Sequence, residues 1–246
     1  MPRQVSRGDA PLRQPVWDLP VRLVHWLLAA LIAFSWWSVH NHHTDWHIWS
    51  GCAILTLLIF RFLWGFFGSS TARWTSFVRG PRTIFSYMRG RWVGIGHNPL
   101  GALSVLALFL AVAVQVGLGL FAQDHDATSY GPLNFLVGYD TGKAVSEVHE
   151  AVFNVILALV ALHLAAILYY RFVRHDNLVT PMITGRRSFD GGAAQPALAP
   201  LWKALVCALL AAAITVWISW GVPPWGARFP WDKPAEAAAL DSQSYM

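Results

Sequence analysis

Five long apolar runs divide this chain of 246 residues, and polar segments separate them. Each run is close to the roughly 20 residues that a helix needs to cross a bilayer. The pattern therefore predicts an all-α integral membrane protein, with a four-helix bundle as its core and a fifth transmembrane helix after it. The predicted spans cover residues 21–39, 47–67, 99–121, 147–172 and 201–220.

Basic residues fall almost entirely on one side of these spans. With the N-terminus inside the cell, 15 of the 18 Lys and Arg residues lie in inner segments, and only Lys143, Arg228 and Lys233 lie outside. Positive residues favour the cytoplasmic side of a membrane. We therefore expect a multi-pass membrane protein with its N-terminus on the cytoplasmic side of the membrane and its C-terminus on the outer side. Because topology explains the net charge of +5, nucleic acid is not an expected partner.

The composition agrees with lipid as the main surroundings of the chain. Hydrophobic residues make up 55% and charged residues only 13%, about half of the roughly 25% charge of soluble domains. Cys52 and Cys207 both lie in apolar runs, which excludes a disulfide framework. The expected segments are a cytoplasmic N-terminus (1–20), a transmembrane core (21–175), a cytoplasmic linker (176–200), a fifth helix (201–221) and a tail on the outer side (222–246).

Four of the ten histidines lie in or at the edge of the predicted spans: His25, His47, His149 and His163. Ionisable residues inside a membrane are costly and mark functional sites. His149 and His163 share one helix face about 21 Å apart, because 14 residues make nearly four turns. His25 lies about 24 Å from the turn that joins the first two helices, whereas His47 lies close to that turn. Depth therefore pairs His47 with His149 near the outer face, and His25 with His163 near the inner face.

Two stacked histidine pairs between apolar helices are suited to two planar iron cofactors, each with its iron bound from both sides. Arg22, Arg61 and Arg171 lie towards the inner level and are candidates to bind the propionates of an inner haem. Their alternative role is to anchor the helices by charge alone. Asn154 follows His149 by little more than one turn, and would either support a ligand or bridge two helices.

Some polar residues allow more than one interpretation. The cluster His40, His42 and His43, with Asp45 behind it, would form either a surface metal site or a solvated turn. No hydrolytic or phosphate-binding motif is present, so no catalytic residue is predicted. The chain would alternatively be a non-redox anchor or transporter subunit whose histidines carry protons or a metal.

Several motifs together resemble the bacterial cytochrome b-561 family, which includes the cytochrome b subunits of nickel-iron hydrogenases. They are WDLPVRLVHW at 17–26, FRFLWG at 60–65, GHNPLG at 96–101, and His149-Glu150 followed by His163. The resemblance covers roughly residues 16–187. It implies a four-helix bundle with two haems b, one near each membrane face. It also implies that the membrane is the bacterial inner membrane, so that the C-terminal tail is periplasmic.

The same resemblance implies electron transfer between the quinone pool and a periplasmic partner, either a c-type cytochrome or a hydrogenase or dehydrogenase subunit. Carried over to this chain, His47 and His149 would bind the outer haem iron, and His25 and His163 the inner one. We expect quinone on the inner side, where His97 and Arg61 would supply hydrogen-bond donors. The fifth helix and the tail depart from the family pattern and leave the identity of the partner open.

Overall fold

The computed structural model of the chain describes residues 12–77, 80, 82, 89, 99–124, 128–189 and 196–219. In these residues the secondary structure is almost entirely helical. The helices are α1 (Leu19–His40), α2 (Thr44–Phe67), α3 (Trp74–Phe77), α4 (Pro99–Phe121), α5 (Tyr139–Phe172), α6 (Val179–Thr184) and α7 (Leu201–Ser219), with a short 3₁₀ helix at Asn134–Leu136. Two short strands complete the set, β1 (Leu12–Pro15) and β2 (Arg186–Phe189).

Five of the described helices, α1, α2, α4, α5 and α7, are long and apolar enough to cross a membrane. The prediction of an all-α, multi-pass membrane protein is thus confirmed. Helix α4 begins at Pro99, as the sequence predicts. Proline is favoured at a first helical position, where its missing N–H has no helical partner to lose. Asn98, which precedes Pro99, and the tail from residue 220 lie outside the described residues.

Helix α5 begins at Tyr139 rather than at residue 147. Hydropathy marks only the apolar part of a helix, and the first two turns of α5 are polar. Asp140 lies in the first turn, where a carboxylate interacts favourably with the helix dipole. Ser146 exchanges two hydrogen bonds with the backbone of Gln123, at 2.6 and 2.9 Å. These contacts fix the polar extension against the loop that precedes it.

The strands β1 and β2 pair antiparallel, so the segment predicted as a linker contains both a strand and the short helix α6. Next to them, the backbone N–H groups of Val16 and Trp17 both donate to the carbonyl of Gly185, at 2.8 and 3.2 Å. Gly185 has a φ of 78°, and an added Cβ would lie 2.8 Å from the carbonyl oxygen of Trp17. A residue with a side chain would therefore be strained here.

The chain forms two compact units. The first, named the His25 unit, consists of the described parts of residues 1–26, 61–108 and 159–207. The second, named the His47 unit, consists of the described parts of residues 27–60, 109–158 and 208–246.

A buried carboxylate organises the His25 unit. Asp18 Oδ1 accepts a hydrogen bond from the backbone N–H of Val21 at 2.9 Å and so caps α1. Asp18 Oδ2 accepts a second one from the Trp64 indole, also at 2.9 Å. Trp64 is fully buried. Two separate sequence motifs, WDLPVRLVHW and FRFLWG, are therefore joined by a hydrogen bond between side chains.

Three other residues of FRFLWG, Arg61, Phe62 and Gly65, pack against Trp74. The Arg61 guanidinium lies over the Trp74 ring, 4.6 Å from its centroid, and the Trp74 indole donates to the carbonyl of Phe62 at 3.1 Å. A Cβ added to Gly65 would lie 1.9 Å from Trp74 Nε1. Only glycine fits at residue 65 in this packing.

In the His47 unit, α7 contacts α2 through small polar groups. Thr56 Oγ1 donates to Thr215 Oγ1 at 3.0 Å, and Ser219 Oγ lies 3.5 Å from Cys52 Sγ. Thr215 is buried, whereas Leu209 is 61% exposed. Small residues and hydroxyl groups are typical of helix contacts in lipid, where apolar surface alone does not drive association.

Candidate functional site

His47 and His149 face each other in the His47 unit. Their imidazole ring centroids lie 6.0 Å apart, and the ring planes are nearly perpendicular, at 82°. An imidazole nitrogen binds a metal at about 2 Å, so two imidazoles on opposite sides of one ion would have centroids about 6–6.5 Å apart. The observed separation fits ligation of one iron by both rings.

The Nδ1 atoms of this pair hydrogen-bond to backbone carbonyls. Nδ1 of His47 lies 2.9 Å from the carbonyl oxygen of Ser35, and Nδ1 of His149 lies 2.9 Å from that of Gln115. A carbonyl only accepts, so each Nδ1 must carry the hydrogen. Each neutral ring then has its free lone pair on Nε2, the arrangement that metal-binding histidines have when a second group holds the other nitrogen.

Glycines lie beside both rings. A Cβ added to Gly119 would lie 3.1 Å from His149 Cε1, so this imidazole packs directly on the α4 backbone. Gly51 follows His47 by one turn on the same face of α2, and an added Cβ there would meet no atom within 4 Å. Gly117 is equally open. The positions around His47 and His149 thus leave room for a flat ligand.

His25 and His163 come together in the His25 unit. Both side chains are half-buried, and their imidazoles are close enough to interact electrostatically. Nδ1 of His163 lies 3.5 Å from Ser104 Oγ, at the long limit of a hydrogen bond. Nδ1 of His25 is buried and has no hydrogen-bond partner in the described part of the chain.

Arg22 lies one helical turn before His25, and part of its guanidinium lacks an acceptor. Its Nη1 donates to the carbonyl of Ile183. Its Nε is buried and has no hydrogen-bond partner among residues 12–77, 99–124, 128–189 and 196–219. Buried donors in native proteins are nearly always paired. A carboxylate group of a bound ligand would satisfy this donor.

The structure places the other three predicted site residues differently. Arg61 is buried on Trp74, which gives it a structural role in the His25 unit. Arg171 is exposed in the last turn of α5. Asn154 is exposed, and its amide donates to the Glu150 carbonyl of its own helix at 3.3 Å. A role for these residues towards a haem stays a prediction.

The surface cluster around the α1–α2 turn has mainly aromatic contacts. His43 stacks on Trp46 with 4.5 Å between ring centroids, and His40 Nδ1 contacts the Trp36 carbonyl at 3.0 Å. In the described residues, no group of three His, Cys, Asp or Glu side chains is arranged to hold a metal ion. The contacts of His40 and His43 are with tryptophans next to the same turn.

Sequence reasoning missed the partners of the histidines, namely Ser35, Gln115 and Ser104. Two of the key acceptors are backbone carbonyls, which every residue has and which leave no trace in the sequence. Gly119 gave a weak signal, because it forms with Gly117 a close glycine pair within a predicted span.

Most of the chain is similar to a known protein family. Residues 16–185 match a family model described as prokaryotic cytochrome b561. No curated protein and no solved structure gave a match. The matched range covers well over half of the chain and includes all four paired histidines.

Proposed function

The chain belongs to the prokaryotic cytochrome b561 family, and from this premise we propose that it binds two haems b and passes electrons between quinone and a periplasmic redox protein. Family membership establishes electron transfer by haem b in a membrane. It also decides against a non-redox anchor or transporter subunit.

One observation carries the proposal of two haems, namely that each unit contains its own histidine pair. The His47 and His149 rings have the separation and the hydrogen-bonded Nδ1 atoms expected of two histidines that would hold one iron. We assign His25 and His163 to the second haem, because they are half-buried neighbours in the other unit.

The chain's own residues would orient and shield these groups. When bound, haem supplies an iron that takes up and releases one electron. The imidazoles set the position of the iron, and the apolar helices exclude water. Arg22 Nε would donate to a haem propionate, since it is buried without an acceptor in the described residues. We also propose that Arg61 and Arg171 interact with the negatively charged haem propionates. Asn154 would support the ligand His149.

We assign the quinone to the cytoplasmic side, near the haem of His25 and His163. His97, expected there as a donor, lies outside the described residues. The periplasmic partner would meet the His47 unit, where the carboxylates of Asp140, Glu147 and Glu150 are exposed. In this orientation the N-terminus is cytoplasmic, the linker at 176–200 is cytoplasmic, and the tail at 222–246 is periplasmic.

The test counts haems in the purified full-length protein by its reduced-minus-oxidised spectrum and pyridine haemochrome. We expect two haems b per chain in the wild type and one in each of His149→Ala and His163→Ala, with different haems lost. The matched control is His40→Ala, at an exposed histidine outside both pairs, which should keep both.

Two results would contradict the assignment: fewer than two haems in the wild type, or loss of the same haem signal in both variants. Because an alanine variant can fail to fold, His149→Gly is also measured with imidazole added to the buffer. Recovery of the missing signal would show that the site is intact and lacks only its ligand.

A further inference from the structure

Two buried hydroxyl groups on α1 lie beside the His47 imidazole. Ser35 contacts Nδ1 of His47 twice, with its carbonyl oxygen at 2.9 Å and its Oγ at 3.0 Å. Ser38 is fully buried and donates from its Oγ to the same Ser35 carbonyl, at 2.8 Å. One carbonyl oxygen therefore accepts hydrogen bonds from both the His47 ring and the Ser38 hydroxyl.

Among the described residues, the histidines of the His25 unit have no comparable acceptors. Ser104 Oγ is 3.5 Å from Nδ1 of His163, and His25 Nδ1 has no hydrogen-bond partner in the described part of the chain. Instead, the His25 ring lies nearly perpendicular to the Trp26 ring, with 4.9 Å between centroids. The two pairs thus differ in how strongly their Nδ1–H groups are hydrogen-bonded.

This difference has a direct effect on a bound iron. An imidazole that donates from Nδ1 has more electron density at Nε2, which makes it a more basic ligand. A more basic ligand stabilises oxidised iron more than reduced iron and so lowers the reduction potential. Ser35 strengthens this donation by offering two acceptors. Ser38 weakens the hydrogen bond from His47, because its hydroxyl donates to the same carbonyl oxygen.

We propose that Ser35 and Ser38 are positioning residues that set the reduction potential of the haem bound by His47 and His149, with the Ser35 hydroxyl lowering that potential and the Ser38 hydroxyl raising it. The proposal rests on the proposed function, because it takes these histidines as ligands. The haem of His25 and His163 has the higher potential of the two, because these histidines lack such acceptors in the part of the chain that the structure describes and lie in the same unit as the Arg22 cation.

The experiment is a spectroscopic redox titration of purified full-length holoprotein, with haem content measured in parallel. The wave that disappears in His149→Ala identifies the haem of His47. Ser35→Ala should shift this wave to a more positive potential, and Ser38→Ala should shift it to a more negative one. Ser35→Thr keeps a hydroxyl and should restore the wild-type value. The control is Ser50→Ala, because Ser50 is buried nearby but donates to the backbone carbonyl of His47 and not to its ring.

Opposite shifts separate this role from a loosened structure, which would move the wave in the same direction in both variants. Equal-sign shifts, no shift, a shift of the other wave, or a lower potential at the haem of His25 and His163 would each overturn the proposal. If the wild type binds fewer than two haems, the haem count itself contradicts the proposed function. If a haem is bound at His47 but its potential changes in neither serine variant, only the serine proposal is overturned. If no haem is bound at His47, both proposals are overturned.

Discussion

Replacing Asp18 tests the claim that one buried carboxylate holds the His25 unit together. Asp18→Ala removes the cap of α1, at a cost of about 1 kcal/mol. It also leaves the buried Trp64 N–H without its acceptor, at a cost of about 1–3 kcal/mol. The free energy of unfolding should therefore fall by about 2–4 kcal/mol. For a chain of this length, each kcal/mol corresponds to roughly 2–4 °C in Tm, so we expect a loss of about 4–16 °C.

The assay is thermal unfolding of the purified holoprotein, followed by helical circular dichroism and by haem absorbance. The matched control is Asp176→Ala in the same unit, because Asp176 pairs with Arg187 at 2.7 Å with both side chains one third exposed. Partly exposed ion pairs contribute about 0–1 kcal/mol. Asp18→Asn should lie between the two, since its amide oxygen still accepts from Val21, but its NH₂ group faces the Trp64 donor.

Two results would refute this reasoning. One is an Asp18→Ala variant that unfolds within about 1 kcal/mol of the Asp176→Ala control. The other is a loss of haem confined to the His47 pair, because Asp18 belongs to the unit of His25.

Two further outcomes are expected from the glycines and from helix α7. Gly119→Val should displace the His149 imidazole and reduce the haem content to one per chain. The control Gly117→Ala has no atom within 4 Å of its new Cβ and should keep two haems. Equal haem content in both variants would contradict the packing described for His149. A double-mutant cycle of Thr56→Val and Thr215→Val, measured by thermal unfolding, should give a coupling energy of about 0.6 kcal/mol and at most about 1.7 kcal/mol. Strictly additive effects of the two substitutions would show that the 3.0 Å contact between the hydroxyl groups contributes nothing to stability.

The sequence was most informative where one physical rule dominates. Bilayer thickness dictates long apolar runs, and all five predicted spans appear as helices in the described residues. Helical rise alone paired His47 with His149, and these rings do lie together in the structure. The ligand roles of the four histidines themselves stay a prediction.

The rest was hidden because it depends on distant parts of the chain. The strand at Leu12–Pro15 is too short to show an alternating pattern, and its partner follows more than 150 residues later. In the sequence, Arg61 resembles a basic residue that anchors a helix end. In the structure it packs on Trp74, whose indole fits there because residue 65 is glycine. The acceptors for His47 and His149 are backbone atoms, whose positions follow only from the folded helices.

The hydrogen bonds from Val16 and Trp17 to Gly185 have a consequence for biosynthesis. The family match runs from residue 16 to residue 185, and the backbones of these two residues are bonded to each other at 2.8 Å. At about 5–20 residues per second, the ribosome needs roughly 8–35 s to add the approximately 170 residues between them. The two hydrogen bonds that Val16 and Trp17 donate just before α1 therefore cannot form until the other helices of the matched region have been made. The segment ahead of the first helix is joined to the end of the matched region only after synthesis has reached Gly185.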